Sequence, residues 1–480
     1  MTTKTASHEL DLTQGNLFWK IPLFALPMAL TSLLQLLYTS VDLFTVSQFG
    51  GGSRSMSAVS SNGAVINLII TVFVSLSLGT NVAISNAKGA KDPEHAAKVL
   101  STSFLFAIVS GLFVGAIGVR LAPFFLEWMG TDPEILALAS EYLRIYFIGI
   151  PFLMVYNFCA QAMRALGDSR RPLYILAVTG IVNVVADYVF VRFLHADVAG
   201  VAWATVLCEA ISALLSVWAL VKNKTGFIHL ELHKIRFDGE SFREILKLGL
   251  PAGIQGLAFC IPNVIIQSSI WTLGTATVSA IDINTGSAAS GQVEGYIYVL
   301  IDSCASACVA FTGQNFGAKK NENCRKSLWY SLTWMMIFWV LGGGLALLFQ
   351  NQLFGLFITD DQHTNIADAF ENARLRLLVM VATYSLDGIM DVCSGYLRGM
   401  RRSTPPALIT ILGVTVTRFI FLLFLFPLPY FHSIQWLYAA FPISWLLTDV
   451  AYAIAIAIIE PKAFKQNVPS IPLAEAVVSR

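Results

Sequence analysis

FWKIPLFALPMALTSLLQLLYTSVDLFTV (residues 18–46) carries two charges, Lys20 and Asp42, in an otherwise apolar run. About 20 consecutive apolar residues suffice to cross a bilayer as a helix. The run is continuously apolar, so it lacks the alternation of a membrane barrel strand. Working outward, eleven further stretches read the same way: 57–85, 99–123, 134–163, 172–195, 199–221, 244–272, 280–314, 327–351, 371–397, 405–428 and 434–459. Composition agrees, with 56% hydrophobic and 13% charged residues, against roughly 25% charged in a soluble domain. The apolar surface belongs in a bilayer, where helices satisfy their own backbone groups. A net charge of +1 offers no polyanion-binding surface, which excludes nucleic acid as a partner.

The connections fix an orientation. Those following even-numbered spans hold 19 Lys and Arg, from Lys88 to Arg402, while those following odd-numbered spans hold Arg54, Arg120 and Arg192. The positive-inside rule then puts the basic loops and both termini in the cytoplasm of a multi-pass plasma (inner) membrane protein. Residues 1–17 are polar, with Lys4, Glu9 and Asp11, and carry no cleavable signal pattern. The expected organisation is a cytoplasmic N-terminal segment (1–17), a six-helix lobe (18–221), a cytoplasmic linker (222–243), a second six-helix lobe (244–459) and a cytoplasmic tail (460–480).

The two halves read as copies. FALPMAL (24–30) matches LGLPAGI (248–254), aligning Pro27 with Pro251. GAK recurs at 89–91 and 317–319, and RALGDSRRP (164–172) matches RGMRRSTPP (398–406). The offsets of 224, 228 and 234 residues grow slowly, as loops of unequal length make them. Three matches in order indicate duplication. Two parallel six-span repeats imply an all-α membrane fold of two bundles, related by a pseudo-two-fold axis along the membrane normal, with the substrate path between them.

Cys159, Cys208, Cys260, Cys304, Cys308, Cys324 and Cys393 form no CxxC pair and read as small hydrophobes within spans. No metal centre beyond a bound Na⁺ and no organic cofactor is expected. Ionisable groups inside spans are costly and mark function. Asn183 and Asp187 are one helical turn apart, on one face. An amide oxygen and a carboxylate so placed can ligate a small hard cation or share a proton. Span ten carries Asp387 and Asp391, again one turn apart, with Arg398 as an alternative partner for Asp391. Span eight carries Glu294 and Asp302. Glu209, Arg144 and Arg418 read as structurally paired or snorkelling charges. Gln35 and, in span seven, Gln255 and Gln267 are further polar groups. Pro22, Pro27, Pro251 and Pro262 mark points where the first span of each half can bend.

LPMALTSLLQLLYTSVDLFTVSQFG (26–50), with its Pro27, Gln35, Tyr38, Asp42 and Gly50, resembles the first span of the multidrug and toxic compound extrusion (MATE) family, prokaryotic type. RALGDSRRP and FTGQNFGAKK (311–320) are similar to that family's loop segments after spans four and eight. The second loop departs from the pattern, with Arg401-Arg402 in place of Gly-Asp. The resemblance implies a secondary antiporter that exports amphipathic organic cations in exchange for H⁺ or Na⁺, with no enzymatic activity and a single chain sufficient for function. It further implies a coupling site at Asp42, Asn183, Asp187 and Thr205. A second-lobe cation or substrate site would draw on Asp387, Asp391, Asp302 and Glu294, with Gln35 and Gln255 facing the substrate cavity. Two rivals stand beside this reading. A lipid-linked oligosaccharide flippase of the same superfamily would need span arginines such as Arg144, Arg374, Arg376 and Arg418 in its cavity. An intramembrane enzyme would need a nucleophile and base, of which no motif appears.

Overall fold

In a computed structural model that describes residues 9–270, 272–273, 279–358 and 365–467, twelve helices are long and apolar enough to cross a membrane. They are α1 (Leu17–Phe49), α2 (Arg54–Gly89), α3 (Pro93–Trp128), α4 (Pro133–Ala165), α5 (Arg170–Phe193), α6 (Asp197–Val221), α7 (Gly239–Ile270), α8 (Ala280–Gly317), α9 (Asn321–Leu348), α10 (Ile366–Gly399), α11 (Thr404–Leu425) and α12 (Ile434–Asn467). Local chemistry starts them where the chain turns. The side chains of Asn16, Asp92, Asp132, Ser279 and Asn365 accept hydrogen bonds from first-turn amides, and Pro93 and Pro133 stand at the first helical positions.

The duplication is visible in packing and in backbone. α1 lies on α5, α2 on α4, α3 on α4 and α4 on α6; α7–α11, α8–α10, α9–α10 and α10–α12 repeat these contacts. The two GAK turns each end on a lysine in the left-handed region, Lys91 at φ 58° and Lys319 at φ 59°. The turns after α4 and α10 place Gly167 and Arg401 there, at φ 85° and 63°. Thus the second loop keeps the backbone of the first although Arg401 replaces glycine.

The lobes touch from the face bearing the basic loops to about mid-helix, through α2–α8, α2–α7 and α1–α8. Glycine permits this approach. A Cβ on Gly79 would overlap the Ile245 carbonyl, and one on Gly249 the Leu76 carbonyl. Gly89 meets the Gln314 carbonyl and Gly317 the Asn86 carbonyl in the same way. These are close backbone crossings of the kind small residues allow in membranes. Asn86 Nδ2 donates to the Gly399 carbonyl (3.1 Å) and Gln314 Nε2 to the Ala165 carbonyl (2.7 Å), which adds polar ties across the seam.

The described parts of the two terminal segments pack on the helices. Residues 9–14 form a strap over the basic face. Glu9 pairs with Lys88 (2.8 Å) and Leu10 N donates to Gly167 O (3.2 Å) on one lobe. On the other, Asn315 Nδ2 donates to Leu12 O (3.0 Å) and Lys320 Nζ to Thr13 O (2.8 Å). Leu12 is fully buried. Burial alone would raise the Asp11 carboxyl, but hydrogen bonds from Thr13 and the charges of Lys20 and Lys320 outweigh it and hold it below its ordinary value. At the other end α12 runs to Asn467, past the expected boundary at 459, because Glu460 stays inside by pairing with Arg325 and accepting from Tyr396 (3.0 Å). α7 likewise begins at Gly239, before the expected 244. Residues 1–8 and 468–480, including Lys4, and the Gln267 side chain lie outside the described residues.

Gly317→Val should wedge the seam. Overpacking costs about 1–3 kcal/mol, read as a lowered melting temperature in detergent or as raised labelling of a cysteine probe on the basic face. An unchanged melt together with unchanged labelling would contradict the seam.

Candidate functional site

In the first lobe, α1, α5 and α6 bring four of the sequence-derived residues together. Asn183 and Asp187 are buried on one face of α5, and Asp42 is buried on α1 opposite them. Asp42 lies within side-chain hydrogen-bonding reach of both. The Thr205 hydroxyl of α6 donates to Asp42 Oδ2 (3.4 Å) and to the Val201 carbonyl (3.0 Å). α1 is held against α5 by Tyr38, whose hydroxyl donates to the Leu176 carbonyl and whose ring fills the space left at Gly180. Directly after Asp187, α5 widens into a π-helical turn at Val189–Phe193, a feature frequent at functional sites.

The electrostatics are unusual in what they leave open. Asp42 Oδ1, Asn183 Oδ1 and both Asp187 carboxylate oxygens are buried without a donor. Two carboxyl groups in contact repel unless a proton or cation sits between them. A buried carboxylate with no partner is costly. Carboxylate and amide oxygens are the ligand types that a small hard cation takes.

Glu209 extends this site, although sequence reasoning set it aside as a paired structural charge. Among the described residues it has no cationic partner, and its Oε2 is buried without a donor. It lies against Gly149, where a Cβ would collide with the carboxylate. Its charge reaches the stacked rings of Tyr142 and Tyr146, 6.3 Å apart. The available signal was its spacing, one turn after Thr205 on α6.

The second lobe sorts its acids differently. Glu294 leaves the candidate set: Arg376 donates to it through Nε (2.8 Å) and Nη2 (3.0 Å), and Ser290 adds a third bond (2.7 Å). Its charge is taken up within the protein. Asp302, Asp387 and Asp391 do form a group, close enough to perturb one another. Asp391 accepts from the Tyr298 hydroxyl (3.3 Å), and Asp449 of α12 joins the group beside Asp387. Arg398 lies within electrostatic range of Asp302 and Asp391. Its Nη2 donates to Gln255 Oε1 (2.7 Å), and Gln255 is partly exposed on α7. Gln35 is exposed on α1, two turns before Asp42 on the same face.

Arg418 of α11 is fully buried between two π-helical stretches, Ile411–Val416 and Phe421–Leu425. It donates to Ser444 Oγ (3.0 Å) and Asn263 Oδ1 (3.1 Å), and lies 4.3 Å from the Phe441 ring centroid. Its charge faces Asp387. Arg418 stands 231 residues after Asp187, within the range of repeat offsets. Where the first lobe has an unpaired acid, the second has a tethered cation. Arg144, by contrast, is exposed on α4.

A protein-family description, MatE, matches residues 27–189 and 251–424, one stretch in each half. The chain belongs to that family, the multidrug and toxic compound extrusion transporters, and is a transporter, not an enzyme. It is 25% identical over 406 residues to the probable multidrug resistance protein YoeA of Bacillus subtilis, covering 82% of this chain and 84% of that one. It is 23% identical over 438 residues to a protein named FAD transporter from Shewanella oneidensis, covering 88% and 91%. A solved transporter of the MOP superfamily from Pyrococcus furiosus, described as having a binding pocket of reverse polarity, shares the fold at a TM-score of 0.85. That likeness has 21% identity and covers 97% of this chain and 100% of the other.

Arg376→Met should leave Glu294 buried and unpaired and destabilise the second lobe by about 3–5 kcal/mol. The double change Arg376→Met with Glu294→Leu should recover most of that loss. Thermal melts in detergent check this, and a double variant as unstable as the single would exclude the pairing.

Proposed function

We propose that the chain is a secondary antiporter that binds H⁺ or Na⁺ at Asp42, Asn183, Asp187 and Thr205 and exports amphipathic organic cations in exchange. The observation that carries this reading is the contact between Asp42 and Asp187 with four buried oxygens left without donors. A bound proton or cation relieves the repulsion between the carboxyl groups, and its loss restores it. Ligand exchange at this point therefore biases how α1 packs on α5, and through α1 how the lobes meet. The loop charges support a cytoplasmic basic face by the positive-inside rule. The glycine seam then closes the cytoplasmic side, as an outward-facing state requires. Pro22 and Pro27 inside α1 supply the points at which it can yield. The relatives named for multidrug resistance support export of diverse small molecules.

The flippase alternative loses its main requirement. Of the four arginines it would use, Arg376 is taken by Glu294, Arg418 is buried on Ser444 and Asn263, and Arg374 donates to Asn351 (2.6 Å). Arg144 is exposed on α4. They form no common cradle for a pyrophosphate.

Purified protein in proteoliposomes, loaded with a fluorescent cationic dye, should move dye under a proton gradient alone or a Na⁺ gradient alone. Asp187→Asn should reduce gradient-driven movement to that of protein-free liposomes while the variant remains folded. Unchanged efflux in Asp187→Asn would remove the coupling assignment.

A further inference from the structure

On the basic face, outside the seam and the acid site, an open groove of about 740 Å³ lies between the start of α7 and the α10–α11 turn. Arg243, Lys247 and Arg401 line it, together with Leu246, Leu250 and Pro251. We propose that this groove binds the headgroup phosphate of an anionic phospholipid, with the acyl chains lying along α7 and α11.

Three observations carry the assignment. First, Arg243 and Lys247 are one turn apart on one face of α7, both exposed, and no acid pairs with either among the described residues. Of the two lining acids, Glu244 is engaged, by His95 (3.0 Å) and by Arg401 (2.7 Å). That leaves Glu240 as the one lining acid opposite the two unpaired cations, Arg243 and Lys247. Second, the groove continues into apolar surface. Leu250 and Ile254 on α7 and Leu408 and Leu412 on α11 are each about half exposed, at 49%, 49%, 54% and 62%. A soluble anion has no use for such a strip, whereas an acyl chain does. Third, Arg401 holds a left-handed backbone at φ 63°, where its counterpart is Gly167. A non-glycine residue there is strained, and its side chain reaches into the groove wall. In the first lobe the matching turn is covered by Leu10 of the strap, so only the second lobe leaves its turn open to lipid.

The choice of an anionic lipid follows from charge. A basic pocket between spans on the cytoplasmic side fits an acidic headgroup. The trimethylammonium of phosphatidylcholine would stand against Arg243, Lys247 and Arg401. Because Glu244 joins Arg401 to His95 of α3 in the other lobe, a lipid seated here abuts the contact that ties the lobes.

The test is native mass spectrometry of detergent-purified full-length protein titrated with phosphatidylglycerol, phosphatidylcholine, or glycerol phosphate. Wild type should retain phosphatidylglycerol in preference to phosphatidylcholine, and glycerol phosphate at equal concentration should not displace it. R243Q/K247Q should bind phosphatidylglycerol roughly thirtyfold more weakly, as removal of two juxtamembrane cations implies. R243K/K247R should bind as wild type does, and Lys326→Gln, on α9 and paired there with Glu322, should have no effect. An unfolded R243Q/K247Q would shift the comparison to the single variants, each expected to lose part of the affinity. Retention of phosphatidylglycerol by folded charge-removed variants, equal loss in Lys326→Gln, or displacement by glycerol phosphate would each overturn the assignment.

Discussion

In a bilayer no water reaches the spans, so every polar group inside them must find its partner within the protein. Most of this structure follows from that constraint. The backbone is absorbed into twelve helices. The lobes approach through glycines that bring carbonyls and helix backbones into contact. Glu294 survives in α8 because Arg376 grips it with two nitrogens and Ser290 adds a third donor. Arg418 survives in α11 because Ser444, Asn263 and the ring of Phe441 surround it. Where the rule is kept, a charge is structural. Where it is broken, buried carboxylate oxygens stand without donors: at Asp42, Asp187 and Glu209 in the first lobe, and at Asp387 and Asp449 in the second.

Duplication makes the exception easier to see. Both lobes share their packing order and the left-handed turns at Lys91 and Lys319. Their interiors diverge in charge. The first lobe sets carboxyl against carboxyl, and no cation pairs with Asp42 or Asp187 among the described residues. The second sets Asp387 near Arg418, while Asp302 feels both Arg398 and Arg164, the latter a residue of the first lobe. The second lobe brings arginines near its acids, yet it too leaves Asp387 Oδ1 and both Asp449 carboxylate oxygens buried without a donor.

The span count, the two halves and the core of the acid site were legible because each has a local signature. Apolar run length, loop charge and an i, i+4 pair of polar residues do not need tertiary structure to be read. Glu209 was misread because its partner status depends on α4, which lies beside it only in the fold. Glu294 was overrated for the same reason: Arg376 is 82 residues away in the chain. The sequence showed residues 9–14 only as part of a polar N-terminal segment, because the strap's anchors, Lys88, Gly167, Asn315 and Lys320, are scattered over both lobes.

The sequence by itself therefore determined that this is a duplicated twelve-helix membrane transporter and that Asn183 and Asp187 share a helix face. The spans and the shared face rest on hydrophobicity and helical periodicity, the duplication on motif matches at nearly one offset, and transport on the family resemblance; all of these are read along the chain. Only the tertiary structure decided which buried charges are neutralised and which are not. Neutralisation requires a second group within hydrogen-bond distance, and distance across a bundle is set by packing.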